Sequence, residues 1–166
     1  MSLRRLDPDQ PLLPSVFDRL IDENPEAAVD PPRSRGQHLA ELRASVRRDL
    51  ENLINTRYRV RGYPRDLEAL EVSLVNYGVP DMTSASLATA QQREAFCREI
   101  ERVIRRFEPR FQHVSVASLT NADQTDRTLR LRIEALIYAD PAPEPMVFDS
   151  VLDPNLRGFQ VAAVDG

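Results

Sequence analysis

The sequence has no lysine and no tryptophan, one cysteine, two histidines and five glycines in 166 residues, and each scarcity removes a class of chemistry. Without lysine there is no ammonium or Schiff-base catalysis. All 22 basic side chains are arginines, whose planar fork favours bidentate contacts to carboxylates and phosphates. Cys97 alone can form neither an intramolecular disulfide nor a cysteine zinc site, which fits a reducing compartment. Its place beside Phe96 in a helical pattern predicts a buried or half-buried inert thiol. His38 and His113 lack companions at metal-ligand spacing, so no metal site is expected. Glycine-rich phosphate loops, dinucleotide fingerprints and the Gly-x-Ser-x-Gly elbow are missing, so no cofactor is expected either. There is no long apolar run, and Met1-Ser2-Leu3-Arg4-Arg5 leads into aspartates and prolines. Neither a membrane span nor a signal peptide is expected, and a cytoplasmic location is the simple inference.

The net charge of −4 gives no general basic character, so nucleic-acid binding is not suggested. The basic stretch Arg43, Arg47, Arg48, Arg57, Arg59, Arg61 and Arg65 is interrupted by Glu41, Asp49, Glu51 and Asp66, and suits a solvated or protein-binding face. Glycoside hydrolysis needs two carboxylates about 5 to 9.5 Å apart, one with a raised pKa. Carboxylates here mostly neighbour arginines, which lower the pKa and make poor general acids at neutral pH. No catalytic residue is assigned.

The length suits one domain, expected over residues 36–166, preceded by a proline-rich arm over 1–35. In that arm Ser15 to Ile21 reads as a short amphipathic helix that docks through Val16, Phe17, Leu20 and Ile21, with a proline linker from Asn24 to Arg35 after it. Ser34 with Gln37 forms a possible capping box for a helix whose apolar stripe is Leu39, Leu42, Val46, Leu50 and Leu53. Asp66 is a candidate cap for a second short helix over Leu67 to Tyr77, ended by Gly78. Thr89 with Gln92 opens a helix with Phe96, Ile100, Val103, Ile104 and Phe107 on its apolar face, while Glu94–Arg98 and Glu101–Arg105 pair on the other. Beyond it the period changes to two: strands are expected at Val114 to Ala117, Leu129 to Ile137, Met146 to Val151 and Gly158 to Val164. Helices first and strands last give an α+β fold, with N-terminal helices packed on one face of a C-terminal, mainly antiparallel β-sheet of three to four strands.

Helix and sheet meet at Phe107-Glu108-Pro109-Arg110-Phe111. Proline removes a backbone donor and holds the preceding residue extended, so the helix ends near Phe107. A carboxylate at a helix C-terminus faces the wrong end of the macrodipole, at a cost up to about 1 kcal/mol, which implies that another group uses Glu108. From the residues alone, Glu108 and Arg110 pair across the kink or face water.

Four blocks in this order resemble the TssE family, a baseplate component of bacterial type VI secretion systems related to the lysozyme-like wedge protein of contractile phage tails. They are Ser45-Val46-Arg47-Arg48-Asp49-Leu50-Glu51-Asn52-Leu53-Ile54-Asn55-Thr56-Arg57, Ser73-Leu74-Val75-Asn76-Tyr77-Gly78-Val79-Pro80-Asp81, Phe107-Glu108-Pro109-Arg110 and Arg132-Ile133-Glu134-Ala135. Phe17-Asp18-Arg19-Leu20 is similar to the family's N-terminal piece. The resemblance implies a structural protein that joins the baseplate wedge to the contractile sheath and helps sheath assembly to start, in a baseplate docked at the inner membrane complex. The implied partners are TssF and TssG, with TssK in the complex, and the sheath proteins TssB and TssC. It implies that Glu108, Pro109 and Arg110 engage the helical core bundle of the wedge, that an edge of the C-terminal sheet accepts sheath arms by strand addition, and that Arg110→Ala weakens docking while leaving the fold intact. Two alternatives are a peptidoglycan-cleaving enzyme and the equivalent wedge protein of a phage-like contractile particle.

Overall fold

The computed structural model describes residues 18, 20–21, 25–26, 34–58, 67–80, 89–120, 128–139, 142–153 and 158–164. Helix α1 spans Arg35–Asn55 and α2 spans Ala90–Phe107. Four strands follow, β1 at Phe111–Leu119, β2 at Leu129–Ile137, β3 at Glu144–Asp153 and β4 at Gly158–Val164. They form one antiparallel sheet in the order β1-β2-β3-β4, so the expected α+β fold is the one observed.

Both capping boxes close. Ser34 Oγ accepts from Gln37 N while Gln37 Oε1 accepts from Ser34 N, and Thr89 and Gln92 repeat the exchange. Each box satisfies two backbone donors that a helix start otherwise leaves without partners. Leu42, Val46, Leu50, Leu53 and Ile54 of α1 and Phe96, Ile100, Val103 and Ile104 of α2 are buried against the sheet. In β2 the inward residues Leu129, Leu131, Ile133, Ala135 and Ile137 are buried, while Arg130 and Glu134 are exposed on the far face. The period-two pattern is that of a sheet with one face in the core and one in water.

The second predicted helix is a correction. Its segment forms two short 3-10 turns, Glu68–Val72 and Leu74–Asn76, and Asp66 lies outside the described residues. Leu67, Val72, Leu74 and Val75 are exposed, so the apolar spacing there does not mark a face packed on the body. What fixes this segment is its end. Gly78 has φ +110°, a region open to glycine, and a Cβ there would lie 2.4 Å from Thr56 O. The close approach lets Val79 N donate to Thr56 O at 2.8 Å and Tyr58 N donate to Val79 O at 3.3 Å, tying the segment to the end of α1.

The N-terminal expectations lie mostly outside the described residues. Asp18 and Leu20 are helical, but Leu20 is 78% exposed and Ile21 44%, so these two side chains do not dock on the body as the amphipathic reading has it.

Candidate functional site: an ion-paired corner between helix and sheet

The last turn of α2 runs into β1 through Glu108, Pro109 and Arg110. Glu108 N still donates to Ile104 O at 2.8 Å, and Phe111 N donates to Glu108 O at 3.3 Å. Arg110 O accepts from Tyr138 N at 2.9 Å, so the kink is tied to the end of β2 as well. Pro109 is exposed at the apex, whereas Glu108 is buried at 6% exposure. The helix terminus that disfavours a carboxylate carries Arg105 and Arg106 in its last turn, and Glu108 turns to a third arginine.

That arginine is its near neighbour. Arg110 Nε donates to Glu108 Oε1 and Nη2 to Glu108 Oε2, both at 2.6 Å, a two-bond fork across the proline. The same Nη2 donates to Asp49 Oδ2 at 2.6 Å, and Nη1 donates to Ser45 Oγ at 3.1 Å. Burial works against a charged guanidinium. The hydrogen bonds and charges of Glu108 and Asp49 outweigh it, so the Arg110 pKa is raised above its already high ordinary value. A guanidinium has five N–H donors. Four are engaged by these contacts, and among the described residues the fifth, on Nη1, has no partner.

The network continues along α1. Ser45 Oγ donates to Asp18 Oδ2 at 2.5 Å, and Arg48 Nη2 donates to Asp18 Oδ1 at 2.6 Å. Arg48 also reaches Asp49 Oδ1, from Nη2 at 3.0 Å and from Nε at 3.2 Å. Arg110, Ser45, Asp18, Arg48 and Asp49 thus close a ring, with Glu108 held on Arg110. Tyr77 borders the corner: its ring meets Phe107 edge-on at 5.3 Å. Burial first, and then the charges of Asp49 and Glu108, push its phenol pKa up.

The sequence named Glu108, Pro109 and Arg110, and the structure brings the two charged members together on the protein's own carboxylates and hydroxyl. Sequence reasoning placed Ser45, Arg48, Asp49 and Asp18 in the family-like blocks, and Arg48 and Asp49 in the basic stretch, but gave none of them a part in this corner. A signal was present, since Ser45 and Asp49 are four apart and flank the stripe of Leu42, Val46 and Leu50, so two polar groups had to be accommodated at the rim of the core. Of the arginine stretch, Arg47 pairs with Glu51 and Arg57 donates to Ile54 O, while Arg59, Arg61 and Arg65 lie outside the described residues. His38 lies in α1 and His113 in β1. Among the described residues no group of three or more His, Cys, Asp and Glu side chains could hold a metal ion. Cys97 is buried, and burial pushes its thiol pKa up. Among the described residues no helix is long and apolar enough to cross a membrane.

The two helices also seal the sheet's edges. On β1, Arg105 Nη2 donates to Val114 O at 3.1 Å and Glu101 Oε2 accepts from Val116 N at 3.3 Å. On β4, Asn55 exchanges both its amide groups with the Phe159 backbone at 2.7 and 2.8 Å, and Arg47 Nη1 donates to Val161 O at 3.3 Å. Unpaired edge groups are templates for another strand, and these side chains occupy them. Beyond Val161 the next outward residue is the exposed Ala163, beside an open groove of about 320 Å³ lined also by Gly36, Leu39, Ala40, Arg43, Ala44 and Arg47.

Residues 40–142 match the family model of the baseplate wedge protein gp25, and the chain belongs to that family of structural baseplate proteins. No curated protein matches the chain.

Proposed function

We propose that the chain is the wedge subunit of a type VI secretion baseplate, a non-catalytic structural component that joins the wedge complex to the contractile sheath and helps sheath assembly to start. The observation that carries this reading is the family match over residues 40–142, which takes in Ser45, Arg48, Asp49 and the Glu108-Pro109-Arg110 corner together. The four sequence blocks that resemble the TssE family supply the secretion-system assignment. The chain acts in the cytoplasm, in a baseplate docked at the inner membrane complex. TssF and TssG, with TssK in the complex, are the wedge partners. They meet the corner, where the exposed Pro109 presents a rigid apex and Arg110 retains one N–H. TssB and TssC are the sheath partners, and their arms add to the sheet where the helices leave backbone open, at the end of β4 around Ala163.

The test is assembly with purified proteins. The wild-type chain should co-elute with a TssF–TssG complex and nucleate TssB–TssC sheath in the presence of the remaining baseplate. Pro109→Ala, which touches an exposed side chain, should weaken the first step several-fold while lowering the melting temperature by only a few degrees, the cost of a freer unfolded chain. If the wild-type chain forms no complex with TssF–TssG, the secretion-system reading falls. Capture of the chain by the tail proteins of a phage-like particle instead would move the same mechanism to that machine. Turnover of peptidoglycan, abolished by one carboxylate substitution, would overturn the non-catalytic part.

A further inference from the structure

Helix α1 begins about two turns before Leu42, its first buried side chain. There it runs beside the end of β4, and the two leave an open groove of about 320 Å³. Leu39, packed against the core, and the small side chains of Ala40, Ala44 and Ala163 make it apolar, and Arg43 and Arg47 are its charged residues. The volume stands at the lower end of the range of about 300–1,000 Å³ for pockets that hold a ligand, so it has room for side chains. The neighbouring backbone is open as well. Asn55 and Arg47 take the outward groups of Phe159 and Val161, but no helix side chain bonds to Ala163. An unsealed strand residue beside an apolar groove is what strand addition uses, the backbone giving affinity and the pocket choosing among side chains.

The charge at the groove has one sign. No acidic residue lines it. Arg47 is held by Glu51 at 2.9 Å and by Val161 O at 3.3 Å, whereas Arg43 makes no hydrogen bond or ion pair with any described residue. Helix α1 also starts on Arg35 and has no acid in its first turn, where the helix dipole already places about half a positive charge. The one acid within residues 35–44 is Glu41, which lies outside the groove lining, two positions from Arg43, a spacing at which helix side chains do not face each other. A half-buried guanidinium with no partner, set against apolar walls, is complementary to a carboxylate.

We infer that this groove receives an acidic, extended segment of the sheath partner: one apolar side chain of the segment fills the groove against Leu39, and a carboxylate two residues away, on the same face of the segment, pairs with Arg43. The inference rests on the reading that a partner strand adds at the end of β4. It adds which side chains that strand presents, and it makes Arg43 the group that refuses a basic segment.

Binding of the full-length chain to purified TssB–TssC reads the groove. Arg43→Glu should weaken binding about tenfold or more, because it puts like charges together, and Arg43→Lys should stay within about threefold of wild type. The urea midpoint of both should match wild type, since Arg43 has no partner in the chain to lose. Raising the salt concentration should narrow the gap between Arg43→Glu and wild type. Replacing the acidic residues of the sheath arm with arginine one at a time should restore binding of Arg43→Glu at one position. Ala163→Pro, which removes an outward N–H at an edge where proline is tolerated, reads strand addition itself and should also weaken binding. If Arg43→Glu binds like wild type, or no arm position restores it, while Ala163→Pro binds poorly, the inference falls and strand addition stands. If the wild-type chain does not bind, or Ala163→Pro binds equally well, both fall. Self-association of the wild-type chain that Arg43→Glu abolishes would give the groove to a second copy and overturn the inference as well.

Discussion

Two arginine–carboxylate forks in this chain have similar geometry and opposite settings. Arg110 holds Glu108 with two bonds of 2.6 Å at the kink between α2 and β1. Arg132 holds Asp149 with two bonds of 2.8 and 2.9 Å, across neighbouring strands on the outer face of the sheet. The difference is water. The kink pair has side-chain exposures of 17% and 8%, against 39% and 32% for the sheet pair. Bond length says how well the charges meet, and burial says what happens when one of them is taken away.

The largest effect should therefore come from Arg110→Ala. The substitution leaves Glu108 buried without its partner and removes one counter-charge from Asp49, and breaking a buried pair from one side costs about 3–5 kcal/mol. Urea denaturation of the isolated chain measures it. This revises the expectation that Arg110→Ala spares the fold, which would make it a poor probe of docking. Replacing both partners, Glu108→Leu with Arg110→Met, should recover part of the loss, because the buried Glu108 charge is gone while Asp49 keeps Arg48. A single mutant within about 1 kcal/mol of wild type would put the kink pair in the same class as an exposed pair and end the contrast.

How much of the corner the sequence disclosed follows from where the signals are local. Proline and the jump in period located the kink, and both capping boxes were legible because their bonds span three residues. The pairing of Glu108 with Arg110 was a stated option for the same reason, with one residue between them. Asp49, Ser45 and Asp18 come from 27 to 65 positions away in their contacts with one another and with Arg110, and nothing in a helical spacing says which polar residue will meet which. The 3-10 turns after α1 mark the opposite failure. Leu67, Leu70, Leu74 and Val75 have helical spacing, but the tight approach of Gly78 to Thr56 decides how that segment sits. A local pattern was overruled by a distant backbone contact.

A middle case is Asn55, whose side chain is the sealing group of the β4 edge. Its two bonds reach a backbone whose residue, Phe159, is 3% exposed, so Asn55→Ala leaves a donor and an acceptor without partners at the border of the core. The expected loss is about 1–3 kcal/mol by urea denaturation. The opened edge should also give concentration-dependent association on size-exclusion chromatography. Loss of stability with a strictly monomeric chain would mean that Asn55 holds the helix to the strand but does not guard the edge.

The smallest effect belongs to Arg132→Ala, and its signature is a titration. The Arg132 hydrogen bonds, opposed by a little burial and aided by its charge, hold the Asp149 carboxyl below the ordinary carboxylate pKa. A depressed carboxylate contributes stability that is present above its unfolded pKa and lost as pH falls through its folded pKa. The wild-type advantage over Arg132→Ala should therefore be small at neutral pH, where water screens both groups, and should vanish in acid once Asp149 is protonated in the folded chain. Carbon-13 NMR of the Asp149 carboxyl should show its midpoint rising toward the ordinary value in Arg132→Ala, with the urea midpoint at neutral pH barely moved. A midpoint that stays low would assign the depression to the sheet and not to Arg132. A large stability loss at neutral pH would show that a fork on the open face can matter as much as one sealed at the kink.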